Sequence, residues 1–293
     1  MSENTADFFA ACWQEATRHS PWRKRRLQGR DPVARWNRMA ADFAERTSEC
    51  QSRDHRQDII AWLGENDALS AGMEVLDIGS GSGNWAVPMA ARCSRLVALE
   101  PAGAMLEILS SRVREAGIEN ITSHQVTWQE VDLDALGWRG RFDLVFASMT
   151  PGVDGPEMLY KMLDACKPET GFCFLAAFAG HSWHQWYGDV WRSIFDEEMT
   201  GRGTDIIYPF NMIYALGYRP ELRFEYWNRK ISWSRDKAIE EFTTFFEDFT
   251  PMTRSVQARI AEYVDARLQD GRFLDNRNGC RGMMVWSMGR KVV

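Results

Sequence analysis

The amino-acid sequence predicts an α/β fold in which strands and helices alternate along most of the chain. Two observations predict this fold class. Short apolar runs of strand length recur, and segments with helical spacing of their apolar residues separate them. A glycine-rich turn also follows the first of these runs and precedes a helix, which is the order of a βαβ unit. With 293 residues and 45% hydrophobic content, the chain can build a sizeable core.

The glycine-rich turn is the most informative stretch. Val75–Ile78 is a short apolar run of strand type, and Gly79, Gly81 and Gly83 then alternate with serines. Neither a helix nor a strand interior tolerates that alternation well. Apolar spacing resumes afterwards, with Pro88 acceptable in the first turn of a helix. Backbone amides of such a turn can approach a ligand closely, and the start of a helix adds a partial positive charge.

Two acids flank this turn in the predicted structure. A second buried-type strand, Leu96–Leu99, ends at Glu100. In a βαβ unit an acid at that position faces the ribose hydroxyls of a nucleoside held over the turn. Asp77 precedes the glycines, where it either anchors the turn or contacts the ligand through water. The pattern predicts a nucleoside site; the alternative is an ordinary turn with a solvated acid.

These residues carry a resemblance to a known family. Val75–Gly83 resembles the first motif of class I S-adenosylmethionine-dependent methyltransferases, and Leu99–Pro101 followed by Met105 resembles their second. The likeness covers about residues 70–180 well. In the NAD-type fingerprint the third glycine lies one residue later, where this chain has Asn84. The spacing therefore favours a methyltransferase over a dehydrogenase.

The resemblance implies a seven-stranded, mostly parallel Rossmann-like sheet with helices on both faces and S-adenosyl-L-methionine as cofactor. An antiparallel hairpin built from runs 222–233 and 282–289 would close the sheet. The expected organisation is a helical segment at 1–66, a cofactor-binding core at 67–180, and cap helices with the closing strands at 181–293. The cap helices are expected as insertions over the active site that determine substrate specificity.

The expected cofactor-binding residues follow from the motifs and from the strand ends: Asp77, Gly79, Ser80, Gly81, Gly83, Asn84, Glu100, Pro101, Thr127, Trp128, Ser148 and Met149. Many members of the family place an acid after the third strand to bind adenine, and this chain has none at the aligned place. Trp128 would instead stack on the purine, with Thr127 or Gln129 as a polar contact, or else pack in the core. The loop that begins at Ser148 should border the point of methyl transfer.

The N-terminal segment contains two features of interest. In related methyltransferases this segment often covers the cofactor, so the resemblance implies that Trp36, Phe43 and Thr47 reach it. The basic run Arg23–Arg26 is either an arm that binds phosphate or a solvated linker face.

An aromatic and histidine-rich stretch follows the fifth predicted strand. His181 and His184 are the candidate catalytic residues, and Trp183, Trp186 and Tyr187 are the candidate substrate-binding residues. Three interpretations of the histidines compete. They could bind a metal, although no neighbouring residues complete a ligand set; one could act as a general base; or both could be hydrogen-bonded within aromatic packing. No metal is expected.

Composition limits the compartment and the partners. No apolar run approaches membrane-spanning length, and residues 1–20 lack a signal-peptide pattern, so a cytoplasmic protein is expected. Six scattered cysteines fit neither a zinc ribbon nor a disulfide framework. A net charge of −6 argues against nucleic acid as the main partner. The sequence leaves the oligomeric state open, with a homodimer among the options.

The predicted function is methyl transfer to oxygen, nitrogen or carbon of a small-molecule acceptor by in-line displacement. No Asn-Pro-Pro-Tyr signature is present, which disfavours DNA bases and glutamine as acceptors. The main alternative is a non-catalytic cofactor-binding protein with a role in regulation or assembly. A dehydrogenase ranks third.

Overall fold

The computed structural model describes residues 3–29, 31–50, 53–180, 184–199 and 205–292. The N-terminal segment is helical: α1 (Glu3–Arg18), α2 (Pro21–Lys24), α3 (Pro32–Cys50) and α4 (Arg53–Glu65). The central part alternates strands and helices: β1 (Glu74–Ile78), α5 (Ala86–Ala90), β2 (Arg95–Leu99), α6 (Gly103–Glu115), β3 (Ile121–His124), β4 (Leu144–Ser148), α7 (Pro156–Ala165) and β5 (Phe172–Phe178).

The C-terminal part contributes further helices and a long hairpin: α8 (His184–Phe195), α9 (Ile207–Ala215), β6 (Glu221–Ser234), α10 (Arg235–Phe246), α11 (Arg254–Asp265), β7 (Leu268–Gln269) and β8 (Arg272–Ser287). Among the described helices, none is long and apolar enough to cross a lipid bilayer.

The main path of the sheet has the strand order β3-β2-β1-β4-β5-β8-β6. β1 to β5 pair in parallel, and β8 runs antiparallel to both β5 and β6. The prediction of a seven-stranded, mostly parallel sheet closed by an antiparallel hairpin is therefore confirmed. The two-residue strand β7 pairs with β8 alone and was not predicted.

Strand order reverses between β1 and β4, and this reversal positions the functional site. β2 and β3 lie on one side of β1, and β4 and β5 lie on the other. Ile78 at the end of β1 is in register with Leu99 of β2 and Ala147 of β4. The carboxyl ends of the three strands thus meet at one edge, where open α/β sheets bind their ligands.

Side chains of the parallel strands alternate between two apolar cores. Leu76 and Ile78 join the core on one face of the sheet, and Val75 joins the core on the other face. Strands buried on both faces read as continuous apolar runs, which explains why the sequence shows them clearly. Trp62 of α4 packs edge-on against Phe174 of β5, with ring centroids 6.0 Å apart.

The hairpin of β6 and β8 extends past the parallel strands and carries a separate apolar cluster. Here we call this part the cap; it consists of α8, α10, α11 and the outer halves of β6 and β8. Its core contains Trp191, Phe242, Phe246 and Phe273, all fully buried. β8 begins at Arg272, ten residues before the predicted start at position 282.

Helix α3 packs on helix α6, which follows β2. Ala40 of α3 is buried against Ala102 and Met105 at the start of α6. The backbone N–H of Ala104 donates a 2.9 Å hydrogen bond to the side-chain oxygen of Asn37. The N-terminal segment is thereby placed across the carboxyl edge of the sheet.

Candidate functional site

A cavity of about 340 Å³ opens at the carboxyl ends of β1, β2 and β4, beneath α3. Ten of the twelve predicted cofactor-binding residues line it: Gly79, Ser80, Gly81, Asn84, Glu100, Pro101, Thr127, Trp128, Ser148 and Met149. Asp77 and Gly83 are not among the lining residues. The residues predicted from the motifs and those predicted from the strand ends thus line the same cavity.

The three glycines of the turn have different roles. All have positive φ angles, of 74° at Gly79, 54° at Gly81 and 85° at Gly83. A Cβ atom at Gly79 would lie 2.1 Å from Oγ1 of Thr150, and one at Gly83 would lie 2.4 Å from Cδ1 of Leu109. A Cβ atom at Gly81 would meet nothing within 4 Å. Two glycines therefore permit close packing, and the middle one borders open space.

The backbone amides of the turn bind acceptors within the protein. The N–H groups of Gly79 and Ser80 both donate to the carbonyl of Leu99 at 2.8 Å. Gly83 donates to the carbonyl of Ser80 at 3.0 Å. Sequence reasoning assigned these amides to the ligand, whereas in the structure the first two fasten the turn to β2 and the third closes the turn itself. The turn is consequently fixed before any ligand binds.

Glu100 connects this turn to the end of β2. Its Oε2 accepts a 2.9 Å hydrogen bond from the N–H of Gly81, and its Oε1 accepts a 2.8 Å hydrogen bond from the N–H of Ala102. Burial raises the pKa of the carboxyl group, and the amides of Ala102 and Gly81 oppose that rise. Each carboxylate oxygen has a second lone pair, so Glu100 can still accept hydroxyl groups from the cavity.

Asp77 is a buried acid that lacks a full set of partners. It is 2% exposed, and its Oδ2 atom has no hydrogen-bond partner within the described part of the chain. Burial, together with the negative charge of Glu100, raises the pKa of Asp77 to about 8. The hydroxyl of Ser80 is also buried without a partner. Unsatisfied buried polar groups of this kind suit a polar, cationic ligand group.

A chain of polar side chains connects three elements at the site. The side-chain amide of Asn84 donates to Oγ1 of Thr47 in α3 at 2.7 Å. The guanidinium of Arg112 in α6 donates to Oδ1 of Asn84 at 2.7 Å and to the carbonyl of Ser82 at 2.8 Å. The turn, α3 and α6 are therefore held together by hydrogen bonds at the cavity wall.

Helix α3 forms one wall of the cavity. Trp36, Phe43 and Thr47, the residues that the family resemblance placed over the cofactor, all line it. The rings of Trp36 and Phe43 pack edge-to-face with centroids 5.4 Å apart. This wall is mainly apolar.

The segment after β3 forms another wall. Trp128 lines the cavity but is only 2% exposed, and its indole N–H donates to the carbonyl of Met158 at 3.2 Å. The hydroxyl of Thr127 donates to Glu130 at 2.6 Å. Gln129 donates to the carbonyl of Gly152 at 3.3 Å. Trp128 thus belongs to the core and to the cavity wall together.

The loop after β4 contains a strained residue. Met149 has a φ angle of 53°, a left-handed conformation that a side chain other than glycine rarely adopts. Its N–H donates to the carbonyl of Ala176 at 2.8 Å. Backbone strain of this kind concentrates at functional sites, where the surrounding structure enforces it.

Of the candidate catalytic and substrate-binding residues, the structure describes the side chains of Trp186 and Tyr187 alone. His181 and Trp183 lie outside that part, as does the side chain of His184. Tyr187 stacks on Phe245 in the cap with centroids 3.7 Å apart. Trp186 lies 5.2 Å from the guanidinium of Arg277. Neither Trp186 nor Tyr187 lines the cavity.

Several lining residues were missed by sequence reasoning. They are Arg26, Pro32, Val33, Trp85 and Asp154, among others. Only the basic run Arg23–Arg26 gave a signal, and the solvated linker face was the favoured interpretation of it. The charged side chains among the lining residues are those of Arg26, Glu100 and Asp154. The cavity therefore offers few groups for proton transfer.

Comparison with known proteins identifies the central part of the chain. Residues 75–169 match a family model described as a methyltransferase domain. An uncharacterised protein of Haemophilus influenzae is 28% identical over 196 residues, which is 66% of this chain and 66% of that relative, just under two thirds of its length.

Solved structures share the fold. A Bacillus halodurans protein provisionally described as a methyltransferase superposes with a TM-score of 0.54 at 15% identity, covering 78% of this chain and 98% of its own. The YcgJ protein of Bacillus subtilis superposes with a TM-score of 0.53 at 16% identity, covering 82% and 100%. The resemblance is thereby confirmed for residues 75–169 as a methyltransferase domain, and the two solved structures share its fold.

Proposed function

Since residues 75–169 match a methyltransferase domain and the glycine turn resembles that of class I enzymes, we propose that the protein uses S-adenosylmethionine to transfer a methyl group to oxygen, nitrogen or carbon of a small-molecule acceptor. The observation that carries this proposal is the buried carboxyl group of Asp77. It lies beside Glu100 at the glycine turn and has an oxygen without a hydrogen-bond partner in the described structure. A donor with an ammonium group and ribose hydroxyls complements this pair of acids.

The residues present fit the cofactor at three points. Asp77 does not line the cavity, so it would accept from the ammonium group through a water molecule; its Oδ2 lacks a partner in the described chain. Glu100 would accept from the ribose hydroxyls with the lone pairs that its two backbone amides leave free. The segment Thr127–Gln129 would border the adenine, with the edge of Trp128 as the apolar contact.

When bound, S-adenosylmethionine supplies a methyl group on a positively charged sulfur, whose neutral thioether is a good leaving group. The protein's residues then need to align the acceptor with that methyl group and to exclude water. The aromatic wall of Trp36 and Phe43 and the loop that contains Met149 would do both. A strong general base is not required for this chemistry, which suits a cavity with few titratable side chains.

The cavity walls favour an acceptor with a planar or apolar body. Aromatic side chains contribute from three elements: Trp36 and Phe43 from α3, Trp85 from the turn, and Trp128 from the segment after β3. Indole and phenyl rings give large apolar contact areas and prefer stacked or edge-on arrangements.

Two measurements test the proposal. Calorimetric titration of the purified protein with S-adenosylhomocysteine should show saturable binding. Incubation with methyl-labelled cofactor and a deproteinised small-molecule extract should move label into a small-molecule fraction. Binding without any transfer would support the non-catalytic alternative. Retention of NAD with no binding of S-adenosylhomocysteine would instead support a dehydrogenase.

A further inference from the structure

Three arginines in α2 and directly after it have different surroundings. Arg23 forms a 3.0 Å ion pair with Asp154, in the loop after β4. Arg25 forms a 2.5 Å ion pair with Glu197 of the cap region, and its guanidinium lies 4.4 Å from the ring centroid of Phe195. These two contacts attach the segment to the core on one side and to the cap on the other.

Arg26 follows these two arginines in the chain and differs from both. It lines the cavity, and its Nε atom is buried with no hydrogen-bond partner in the described structure. No acidic side chain is bonded to it among the described residues. A guanidinium group is permanently charged, and buried N–H donors are almost always paired. An unpaired donor at a cavity wall therefore indicates a ligand acceptor.

The position of Arg26 favours the acceptor's side of the cavity. Arg23, three residues earlier, bonds to Asp154, which also lines the cavity and follows the strained residue Met149. The expected contacts of the cofactor lie instead at the ends of β1 and β2, with Glu100 and the glycine turn. The ion pair of Arg23 places the segment that carries Arg26 against the loop after β4, the side from which the acceptor would approach the methyl group.

The charges in the cavity also favour an anionic group on the acceptor. Asp154 is paired with Arg23, and both oxygens of Glu100 already accept backbone amides. A bound methyl donor carries positive charge at its sulfur and ammonium group and negative charge at its carboxylate, so it adds a net positive charge. An anionic group on the acceptor would pair with Arg26 and offset that accumulated positive charge.

We propose that Arg26 is a specificity-determining residue that binds an oxyanion, a carboxylate or a phosphate, on the methyl acceptor. This inference rests on the proposed function and names the class of its substrate. With the aromatic walls, it describes an acceptor with a planar or apolar body that carries an oxyanion. Arg26 then orients that body toward the methyl group by a charge-assisted, bidentate contact.

A matched pair of probes tests this inference. Benzoate and benzamide have the same shape, and only benzoate carries the charge. Protein saturated with S-adenosylhomocysteine should bind benzoate about tenfold more tightly than benzamide, as measured by calorimetry or tryptophan fluorescence. Arg26→Gln should remove this preference and leave the affinity for S-adenosylhomocysteine unchanged. Arg26→Lys, which keeps the charge, should retain part of the preference.

Arg25→Gln is the control. It removes the same charge at the neighbouring position, and the side chain of Arg25 does not line the cavity. It should leave the preference for benzoate intact. Equal binding of benzoate and benzamide to the wild type, or no binding of either, would overturn the inference while leaving methyl transfer open. Loss of S-adenosylhomocysteine affinity in Arg26→Gln would also overturn it, because Arg26 would then hold the cofactor's carboxylate. Failure of the wild type to bind S-adenosylhomocysteine would refute the proposed function itself.

Discussion

The side-chain amide of Asn84 donates a 2.7 Å hydrogen bond to the hydroxyl of Thr47, which joins the glycine turn to helix α3. Arg112 holds Asn84 from the opposite side through its Oδ1 atom. The glycine turn and helix α3, which both line the cavity, are therefore one hydrogen-bonded unit. The ordering of helix α3 over the cavity should therefore depend on the hydrogen bond between Asn84 and Thr47.

Thr47→Val should weaken cofactor binding. The substitution keeps the shape of the side chain but removes the acceptor of the Asn84 amide, at a cost of about 1 kcal/mol, which is about fivefold in affinity. Calorimetric titration with S-adenosylhomocysteine measures the change. Asn66→Ala, which removes a surface amide bonded to Glu221, is the control and should leave the affinity unchanged. Equal affinities of wild type and Thr47→Val would show that α3 does not cover the ligand.

Gly81→Val should abolish cofactor binding. The residue has a positive φ angle and borders the open space of the cavity, so a branched side chain would occupy the volume of the ligand. Gly117→Val is a matched control, because Gly117 has a φ angle of 64°, open surroundings and a position at the end of α6. Both variants carry similar backbone strain, and only Gly81→Val should lose binding. Retained affinity in Gly81→Val would place the ligand elsewhere.

Asp77→Asn should stabilise the ligand-free protein in a pH-dependent way. The ordinary pKa of 3.8 is raised to about 8 in the fold, so between these values the unfolded chain ionises while the folded chain stays protonated. Stability of the wild type is therefore lost as pH rises through this window. Asparagine has no such transition, so the difference in melting temperature between variant and wild type should grow from pH 5 to pH 8. A pH-independent difference would contradict a buried, protonated Asp77.

Cofactor binding should release a proton from Asp77. An ammonium group beside the carboxylate favours its ionised form, so the wild type should release about one proton on binding near pH 7. The binding enthalpy of S-adenosylhomocysteine should then differ between phosphate and Tris buffers, because their ionisation enthalpies differ. Asp77→Asn should bind more weakly and show no buffer dependence. The same buffer dependence in wild type and variant would assign the proton to another group.

Asp248→Ala should destabilise the protein, because it removes an ion pair between α3 and the cap. Asp248 has 3% of its side chain exposed and forms a 2.6 Å ion pair with Arg35, so its removal should cost about 3–5 kcal/mol. The neighbouring pair of Glu247 with Arg38 is more exposed, and Glu247→Ala should cost less than about 1 kcal/mol. Urea unfolding followed by tryptophan fluorescence gives both values. Similar losses of unfolding free energy in the two variants would show that burial of Asp248 does not strengthen its contribution to stability.

The sheet was predictable from sequence because its parallel strands are buried on both faces and read as apolar runs. The run Leu96–Leu99, for example, contains no polar residue, and the observed strand β2 ends at the same residue. The outer half of β8 was missed. Its residues Asn276–Gly279 are polar or glycine, because this part of the hairpin lies outside the main sheet core.

The candidate site was predictable only where a motif fixed it. Gly79–Gly83 and Glu100 follow strands in a set order, and that order brings them to one edge of the sheet. Tyr187 shows the limit of composition, because an aromatic cluster can be a pocket wall or a core, and here Tyr187 stacks on Phe245 in the cap core. Arg26 lay in a basic run whose partners, from distant parts of the chain, only the fold reveals.

The most direct test of the central claim is a calorimetric titration of the purified wild-type protein with S-adenosylhomocysteine, run beside Gly81→Val. The site at Asp77, Gly81 and Glu100 predicts saturable binding with one ligand per chain in the wild type and none in the variant. No binding to the wild type at millimolar ligand, or the same affinity in both proteins, would contradict the assignment of this cavity to the cofactor.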